Sequence, residues 1–145
     1  MLYEIKSDVF KIGEIQREPF HFKAGLNTVV GGDEANNSIG KSTLLLIIDF
    51  VFGGDAYLKS DVIPKLKSHE IFFIYKFGND YYYFIRNTIE KDIVYFCNKD
   101  YSSPQRKTLE EFKSFLYNKY NIGVSNYNFN FVTSRYFRIW KKENI

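Results

Sequence analysis

Four consecutive residues, Gly40-Lys41-Ser42-Thr43, have the types and the order of a phosphate-binding loop that runs into a helix. A polyphosphate must be held by several donors at once, because one lysine cannot neutralise it and an unpaired buried charge is costly. In such a loop the glycine lets the backbone approach, the lysine reaches the β and γ phosphates, and the first hydroxyl ligates Mg²⁺. The motif therefore predicts a nucleotide site in which Gly40, Lys41, Ser42 and Thr43 bind phosphate and Ser42 ligates the metal.

The loop before these residues departs from the strict pattern. We place the loop at residues 31–43, and five positions before Gly40, where the pattern has a glycine, this chain has Ala35. Gly31 and Gly32 lie further upstream, so the turn can be made there within an enlarged loop. Asp33 and Glu34 must then face away from the nucleotide, because carboxylates repel phosphate. The alternative is an ordinary helix that begins with these four residues by chance.

The elements on either side of the loop favour the functional interpretation. Residues 20–30, FHFKAGLNTVV, have strand character and end in the β-branched pair Val29-Val30. Residues 44–52 are apolar on nearly all sides, which predicts a helix buried on most of its surface, and Gly53-Gly54 predicts its end. A strand, a loop and a buried helix in this order are the context that a phosphate-binding loop requires.

The rest of the chain predicts further strands and one more helix within a single domain, residues 1–145. Residues 70–98 contain two apolar-aromatic runs about a Gly-Asn-Asp turn and then a third strand, which indicates a β-hairpin region. Thr108 and Glu111 form a capping box before an amphipathic helix of about 108–121. In residues 126–132, NYNFNFV, aromatic residues alternate with Asn as in a half-buried strand.

Composition excludes several classes of protein. The 145 residues are 45% hydrophobic and 19% aromatic, which is typical of a globular domain rather than a disordered one. The single cysteine, Cys97, fits a reducing compartment and the role of a small core residue. We see no signal peptide and no apolar run near the ~20 residues that span a bilayer. These features predict a soluble, cytoplasmic protein without a membrane partner, and a net charge of +3 decides nothing further.

Other residues that could do chemistry lack a supporting pattern. His21 and His69 have no ligand cluster at metal-binding spacing, and Cys97 has no placed histidine partner. Gln105 lies in SSPQRK, which we interpret as a surface turn. Residues 98–100, Asn-Lys-Asp, lack the spacing of a base-reading motif and are interpreted as a turn.

The basic and aromatic tail, residues 134–145, allows two interpretations. At helical spacing, Arg135, Arg138 and Lys142 share one face, and the aromatic residues between them are suited to stack bases of a single strand. A solvated basic face over an aromatic stripe, or the start of a coiled coil, fits the same pattern and is the commoner case.

The stretch FHFKAGLNTVVG…NNSIGKSTLLLIIDFVFGG resembles the N-terminal head segment of ABC-type ATPases of the SMC, RecN and SbcC kind. Gly25-Leu26-Asn27 match the entry strand of that family, Asn37 its loop asparagine, and residues 40–43 its phosphate residues. The segment SDVIPKLKSHEIFFIYKFGNDYYYFIRNT is similar to the family's basic segment and hairpin, which closes on an arginine, here Arg86. NNSIGKSTLL looks more like the less-studied SMC-like ATPases of bacteria, some of them associated with phage defence, than like the chromosome-organising members.

This resemblance implies an α/β P-loop NTPase fold, in which residues 1–145 form the N-terminal lobe with a mixed β-sheet around the P-loop helix. It implies ATP and Mg²⁺ as cofactors, and it extends the nucleotide-binding residues to Asn37, Ser38 and Ile39. It further implies a C-terminal head lobe as partner, from the same gene product or a separate chain, head-to-head dimerisation on ATP binding, and DNA as a partner. Lys67 and Arg86 are candidates for a head surface facing DNA.

Several parts that complete the family's active site have no counterpart in this chain. We find no strand ending in Asp-Glu, no signature motif and no suitable glutamine, so the catalytic residues stay unassigned. Because positioning the water is most of the catalysis in phosphoryl transfer, we expect very slow hydrolysis by this chain alone. The alternatives are a degenerate P-loop interaction module without hydrolysis, or an unrelated small P-loop kinase or GTPase.

Overall fold

The computed structural model describes residues 1–12, 15–16, 18–22 and 41–120, which form a six-stranded sheet, a two-stranded ribbon and three helices. The strands are β1 (Leu2–Lys6), β2 (Lys11–Ile12), β3 (Ile15–Gln16), β4 (Phe20–His21), β5 (Glu70–Phe77), β6 (Asp80–Asn87), β7 (Ile93–Asn98) and β8 (Ser102–Thr108). The helices are α1 (Lys41–Val51), α2 (Val62–Lys65) and α3 (Leu109–Lys119), with 3-10 turns at Tyr57–Lys59 and Lys99–Tyr101. No helix in these ranges is long and apolar enough to cross a membrane.

The main sheet has the strand order β4-β1-β5-β6-β7-β8, and every pairing in it is antiparallel. The α/β prediction is confirmed at this level, whereas the predicted mixed sheet is wrong for the strands that the structure describes. Strands β5 to β8 follow one another through short connections, and such connections join antiparallel neighbours, since parallel neighbours need a crossover of a dozen or more residues. Most of the predicted strand that enters the loop, residues 23–30, lies outside the described residues, as does the predicted strand within 126–132.

Strands β5 and β6 form the hairpin at the centre of the sheet. They pair in register from Glu70 opposite Asn87 to Phe77 opposite Asp80. The two-residue connection includes Gly78, whose φ of +64° is a left-handed conformation that glycine adopts without strain. The Gly-Asn-Asp signal in the sequence therefore marks the turn that fixes the register of the longest strand pair.

One face of the sheet packs against α1 and α3 through a cluster of aromatic side chains. Phe73, Tyr75 and Phe84 project from β5 and β6, and each has its ring centroid within 6.3 Å of Phe112 in α3. Helix α1 presents Leu44, Ile47, Ile48, Phe50 and Val51 as buried residues of the same core. Each fully buried aromatic or aliphatic side chain contributes about 1.5 to 3 kcal/mol, so this layer is the main stabilising feature of the described fold.

Helix α3 begins at the predicted capping box. The Thr108 hydroxyl accepts the Glu111 N–H at 3.1 Å, and the Glu111 carboxylate accepts the Thr108 N–H at 3.4 Å. Phe112 and Leu116, one turn apart, point into the core. The cap and the apolar stripe together fix where α3 starts and which side faces the sheet.

Strand β8 corrects the interpretation of Gln105 as part of a surface turn. Gln105 is exposed, but it lies in a strand and pairs with Phe96 of β7. Pro104 is tolerated because β8 is the last described strand of the sheet, and edge strands are where proline is found in sheets. The predicted turn at residues 98–100 is confirmed as the 3-10 turn that precedes β8.

Candidate functional site

The last three residues of the predicted phosphate-binding motif, Lys41 to Thr43, lie in the first turn of α1. Ser42 is exposed and Thr43 is half-buried in the first turn of the helix. The first backbone N–H groups of a helix have no acceptor within it, and with the helix dipole they give this end a partial positive charge. No acidic side chain lies in the first turn of α1. The described part of the motif is thus compatible with an anionic ligand and with a hydroxyl ligand for Mg²⁺.

The remaining predicted binding residues lie outside the described residues. They are Asn37, Ser38, Ile39 and Gly40, and the side chain of Lys41 belongs with them. The same holds for Ala35 and for the acidic pair Asp33-Glu34. What the structure brings together at this place is therefore the helix start with Ser42 and Thr43. Within the described ranges, no group of three or more His, Cys, Asp or Glu side chains could hold a metal ion.

The far end of α1 is fixed to the sheet by side chains from two strands. The Tyr75 hydroxyl of β5 donates to the Val51 carbonyl oxygen at 2.7 Å, and the Arg86 guanidinium of β6 donates to the Phe50 carbonyl oxygen at 2.8 Å. The last carbonyl groups of a helix have no partner within it, so the Tyr75 hydroxyl satisfies the Val51 carbonyl group, while the Phe50 carbonyl group accepts from both Arg86 and the Gly53 N–H. Helix α1 is consequently held in a fixed direction by the centre of the sheet.

Arg86 makes more of these hydrogen bonds than Tyr75 does. Its buried position also corrects the expectation that it faces DNA. Its side chain is 0% exposed, and it also donates to the carbonyl oxygens of Gly54 and Lys91, each at 2.7 Å. The guanidinium lies 4.1 Å from the ring centroid of Phe50. Burial lowers the pKa of Arg86 to about 10, which still leaves it charged at neutral pH. A buried cation at the carboxyl end of α1 opposes the negative end of the helix dipole and is not available to a surface ligand. Lys67, the second candidate for that surface, is exposed.

Asp49 and the predicted glycine stop complete the end of α1. Gly53 has a φ of +103°, and a Cβ placed on Gly54 would collide with the Asp49 carboxylate. That carboxylate accepts the Ala56 N–H at 3.3 Å, while burial raises the pKa of Asp49 above its ordinary value. Gly53 is therefore favoured by its backbone conformation, whereas a side chain at Gly54 would have to displace the Asp49 carboxylate.

The contacts of the two histidines and the burial of the cysteine are those of residues with a structural role. His21 of β4 lies 2.8 Å from the Glu4 carboxylate, and His69 contacts the buried Tyr57 hydroxyl at 2.7 Å through Nε2. Cys97 is half-buried in β7 rather than a member of the core, and burial raises the pKa of its thiol to about 11. A thiol with this pKa is almost entirely protonated at neutral pH, so it is a poor nucleophile.

The sequence analysis did not predict that Arg86 bonds to the end of α1, although the sequence of β6 contains a signal for an inward-facing arginine. In β6, Tyr82, Phe84 and Arg86 occupy alternate positions and therefore share one face of the sheet. An arginine on an otherwise aromatic face has to find several acceptors there, and the carbonyl groups that end α1 are those acceptors. The alternation in β6 thus predicts that the Arg86 side chain points into the core.

Comparison of the chain with protein-family models, with curated proteins and with solved structures finds no match in any of the three. The function is therefore argued from the residues of this chain.

Proposed function

We propose that this chain is the ATP-binding N-terminal lobe of an SMC-like ABC-type ATPase that acts on DNA. The observation that carries the proposal is that Lys41, Ser42 and Thr43 of the Gly40-Lys41-Ser42-Thr43 motif lie in the first turn of a buried helix, α1. Here the register places Ser42, the predicted metal ligand, exposed in the first turn.

The residues have distinct roles in this proposal. The Lys41 ammonium pairs with the β and γ phosphates, the Ser42 hydroxyl ligates Mg²⁺, and the backbone N–H groups of residues 40–43 donate to phosphate oxygens. Asn37, Ser38 and Ile39 supply further loop contacts. Arg86 and Tyr75 contribute at a distance by holding the other end of α1. A rigid helix fixes the donors in place before the ligand arrives, so less entropy is lost on binding.

Hydrolysis in this proposal requires a second lobe. We place the groups that position the attacking water on a C-terminal head lobe, and ATP binding then brings two heads together. Because positioning accounts for most of the rate in phosphoryl transfer, the chain by itself binds ATP and turns it over very slowly. DNA is the proposed partner of the assembled heads. With Arg86 buried, exposed residues such as Lys67 are the candidates for that contact.

A second candidate function is a degenerate P-loop module that serves as an interaction partner without hydrolysis. The observation that favours it is Ala35 in place of the usual loop glycine, next to the acidic pair Asp33-Glu34. Carboxylates close to phosphate weaken nucleotide binding, so this candidate predicts feeble or absent affinity for Mg-ATP.

Calorimetric titration with Mg-ATP separates the two candidates. We expect saturable binding of one nucleotide at the loop of the wild-type chain, with affinity lost in Lys41→Ala and reduced in Ser42→Ala. Lys113→Ala in α3 serves as the control, because it removes a lysine near the other end of α1. If the Lys41→Ala and Lys113→Ala variants bind Mg-ATP as the wild type does, the assignment of the loop is wrong.

A further inference from the structure

The face of the sheet opposite α1 and α3 contains a cleft of about 510 Å³, and the proposed nucleotide loop does not include it. Four tyrosines and two lysines dominate its lining: Tyr3, Tyr81, Tyr83, Tyr101, Lys6 and Lys99. We call it the tyrosine cleft. Its volume falls within the range of about 300 to 1,000 Å³ that is usual for small-molecule sites.

One wall of the tyrosine cleft is a strained turn. Asp100 and Tyr101, both in the lining of the cleft, have φ values of 60° and 61°. Left-handed backbone at a residue other than glycine costs on the order of 1 kcal/mol, and such strain concentrates at functional sites. The turn folds Tyr101 back over the sheet, where its ring lies 5.1 Å from Phe72 and 5.2 Å from Tyr83, centroid to centroid.

The hydroxyl of Tyr101 is buried and has no hydrogen-bond partner among the described residues. Burial also raises the pKa of Tyr101, so the group stays a protonated donor. A buried hydroxyl without a partner is unfavourable by roughly 1 to 3 kcal/mol, and a ligand that offers an acceptor would relieve that cost.

The charges of the cleft indicate what kind of ligand complements it. Lys6 has its ammonium 4.8 Å from the Tyr101 ring centroid, and Lys99 is a second exposed cation of the lining. Glu4 and Asp100 add two carboxylates, so cations and anions balance. A balanced site does not favour a long polyanion, whose binding depends on many cations. Carboxylates do accept hydrogen bonds from amino groups of bases and from ribose hydroxyls.

We propose that the tyrosine cleft is a second nucleotide-binding site that takes a mononucleotide. Its base stacks on the tyrosine rings, of which Tyr81 is 44% exposed, and its phosphate pairs with Lys6 and Lys99. The Tyr101 hydroxyl donates to the bound ligand. This site is on the other side of the sheet from α1, so it is independent of the proposed ATP loop.

The test is calorimetric titration of the full chain with AMP in EDTA, in a Lys41→Ala background that disables the loop. We expect one AMP per chain. Tyr101→Phe keeps the ring and removes the hydroxyl, and we expect it to weaken AMP binding about fivefold. We expect Lys6→Ala to weaken AMP about tenfold and adenosine much less, because adenosine has no phosphate. Lys119→Ala is the matched control, since its ammonium also lies 4.8 Å from a tyrosine ring, that of Tyr82 on the opposite face.

The outcomes distinguish this proposal from the function of the loop. Saturable AMP binding that Tyr101→Phe and Lys6→Ala weaken, and Lys119→Ala does not, supports the tyrosine cleft whatever happens to Mg-ATP at the loop. No saturable AMP binding overturns it, and so does binding that all three variants leave equal. Binding of a single-stranded oligonucleotide without binding of AMP also overturns it. Circular dichroism of each variant checks that the sheet is intact.

Discussion

At the scale of single residues, Arg86 connects the sheet to α1, the helix whose first turn contains the end of the predicted phosphate-binding motif. Its guanidinium donates to three backbone carbonyl oxygens, two of them at or just after the end of α1. Removing the donor takes this partner from the Gly54 and Lys91 carbonyl groups, whereas the Phe50 carbonyl group still accepts the Gly53 N–H. We therefore expect Arg86→Met to lower the free energy of unfolding by about 2 to 4 kcal/mol, measured by urea denaturation.

Arg106→Met is the matched control for this change. Arg106 is exposed and lies 3.2 Å from the Glu90 carboxylate, a surface ion pair. Exposed pairs contribute about 0 to 1 kcal/mol, so the control is expected to stay within that range. Equal losses in the two variants would contradict the structural role of Arg86.

Asp49 gives a prediction about pH at the same scale. Burial raises the pKa of Asp49 in the folded chain above 3.8, its ordinary value. The unfolded chain therefore loses this proton first as the pH rises, and the free energy of unfolding falls as the pH rises from 3.8 to the pKa of the folded state.

Asp49→Asn keeps an acceptor for the Ala56 N–H and removes the titration. We expect the variant to gain stability relative to the wild type above that window, measured by denaturation at pH 3 and pH 7. A gain that is the same at both pH values would contradict the linkage.

At the scale of elements, α3 depends on its cap and on its apolar stripe. Thr108→Ala removes the hydroxyl that accepts the Glu111 N–H, and we expect a loss of about 1 kcal/mol in the free energy of unfolding. Ser114→Ala, at an exposed position in the same helix, is the control and is expected to change stability little. Comparable losses at the two positions would mean that the cap does not anchor the helix.

The elements differ in how far the sequence predicts them, and the reason is the range of the interactions. The capping box of α3, the glycine stop of α1 and the turn at Gly78 are local signals, and the structure has each of them. Strand β8 was missed because Pro104 and its polar neighbours resemble a turn, and only its place at the sheet edge makes it a strand. The inward position of Arg86 was missed because two of its three acceptors lie more than thirty residues away in the chain.

At the scale of the whole molecule, the described fold is one antiparallel sheet with two different faces. One face buries an aromatic core beneath α1 and α3, and the other carries the tyrosine cleft. The start of α1 and the tyrosine cleft therefore lie on opposite sides of the sheet. Neither site follows from composition alone. The loop has a sequence motif, whereas the cleft depends on a backbone turn that only the structure displays.

The most direct test of the central claim is to record ¹⁵N-amide NMR shifts of the chain while Mg-ATP is added. If the loop binds the nucleotide, the amides of Lys41, Ser42 and Thr43 shift together with those of the preceding loop, because their N–H groups donate to phosphate. The same titration of Lys41→Ala is expected to leave these amides unshifted. Saturation of shifts elsewhere, with the amides at the start of α1 unchanged in the wild type, would contradict the proposal that this helix holds ATP.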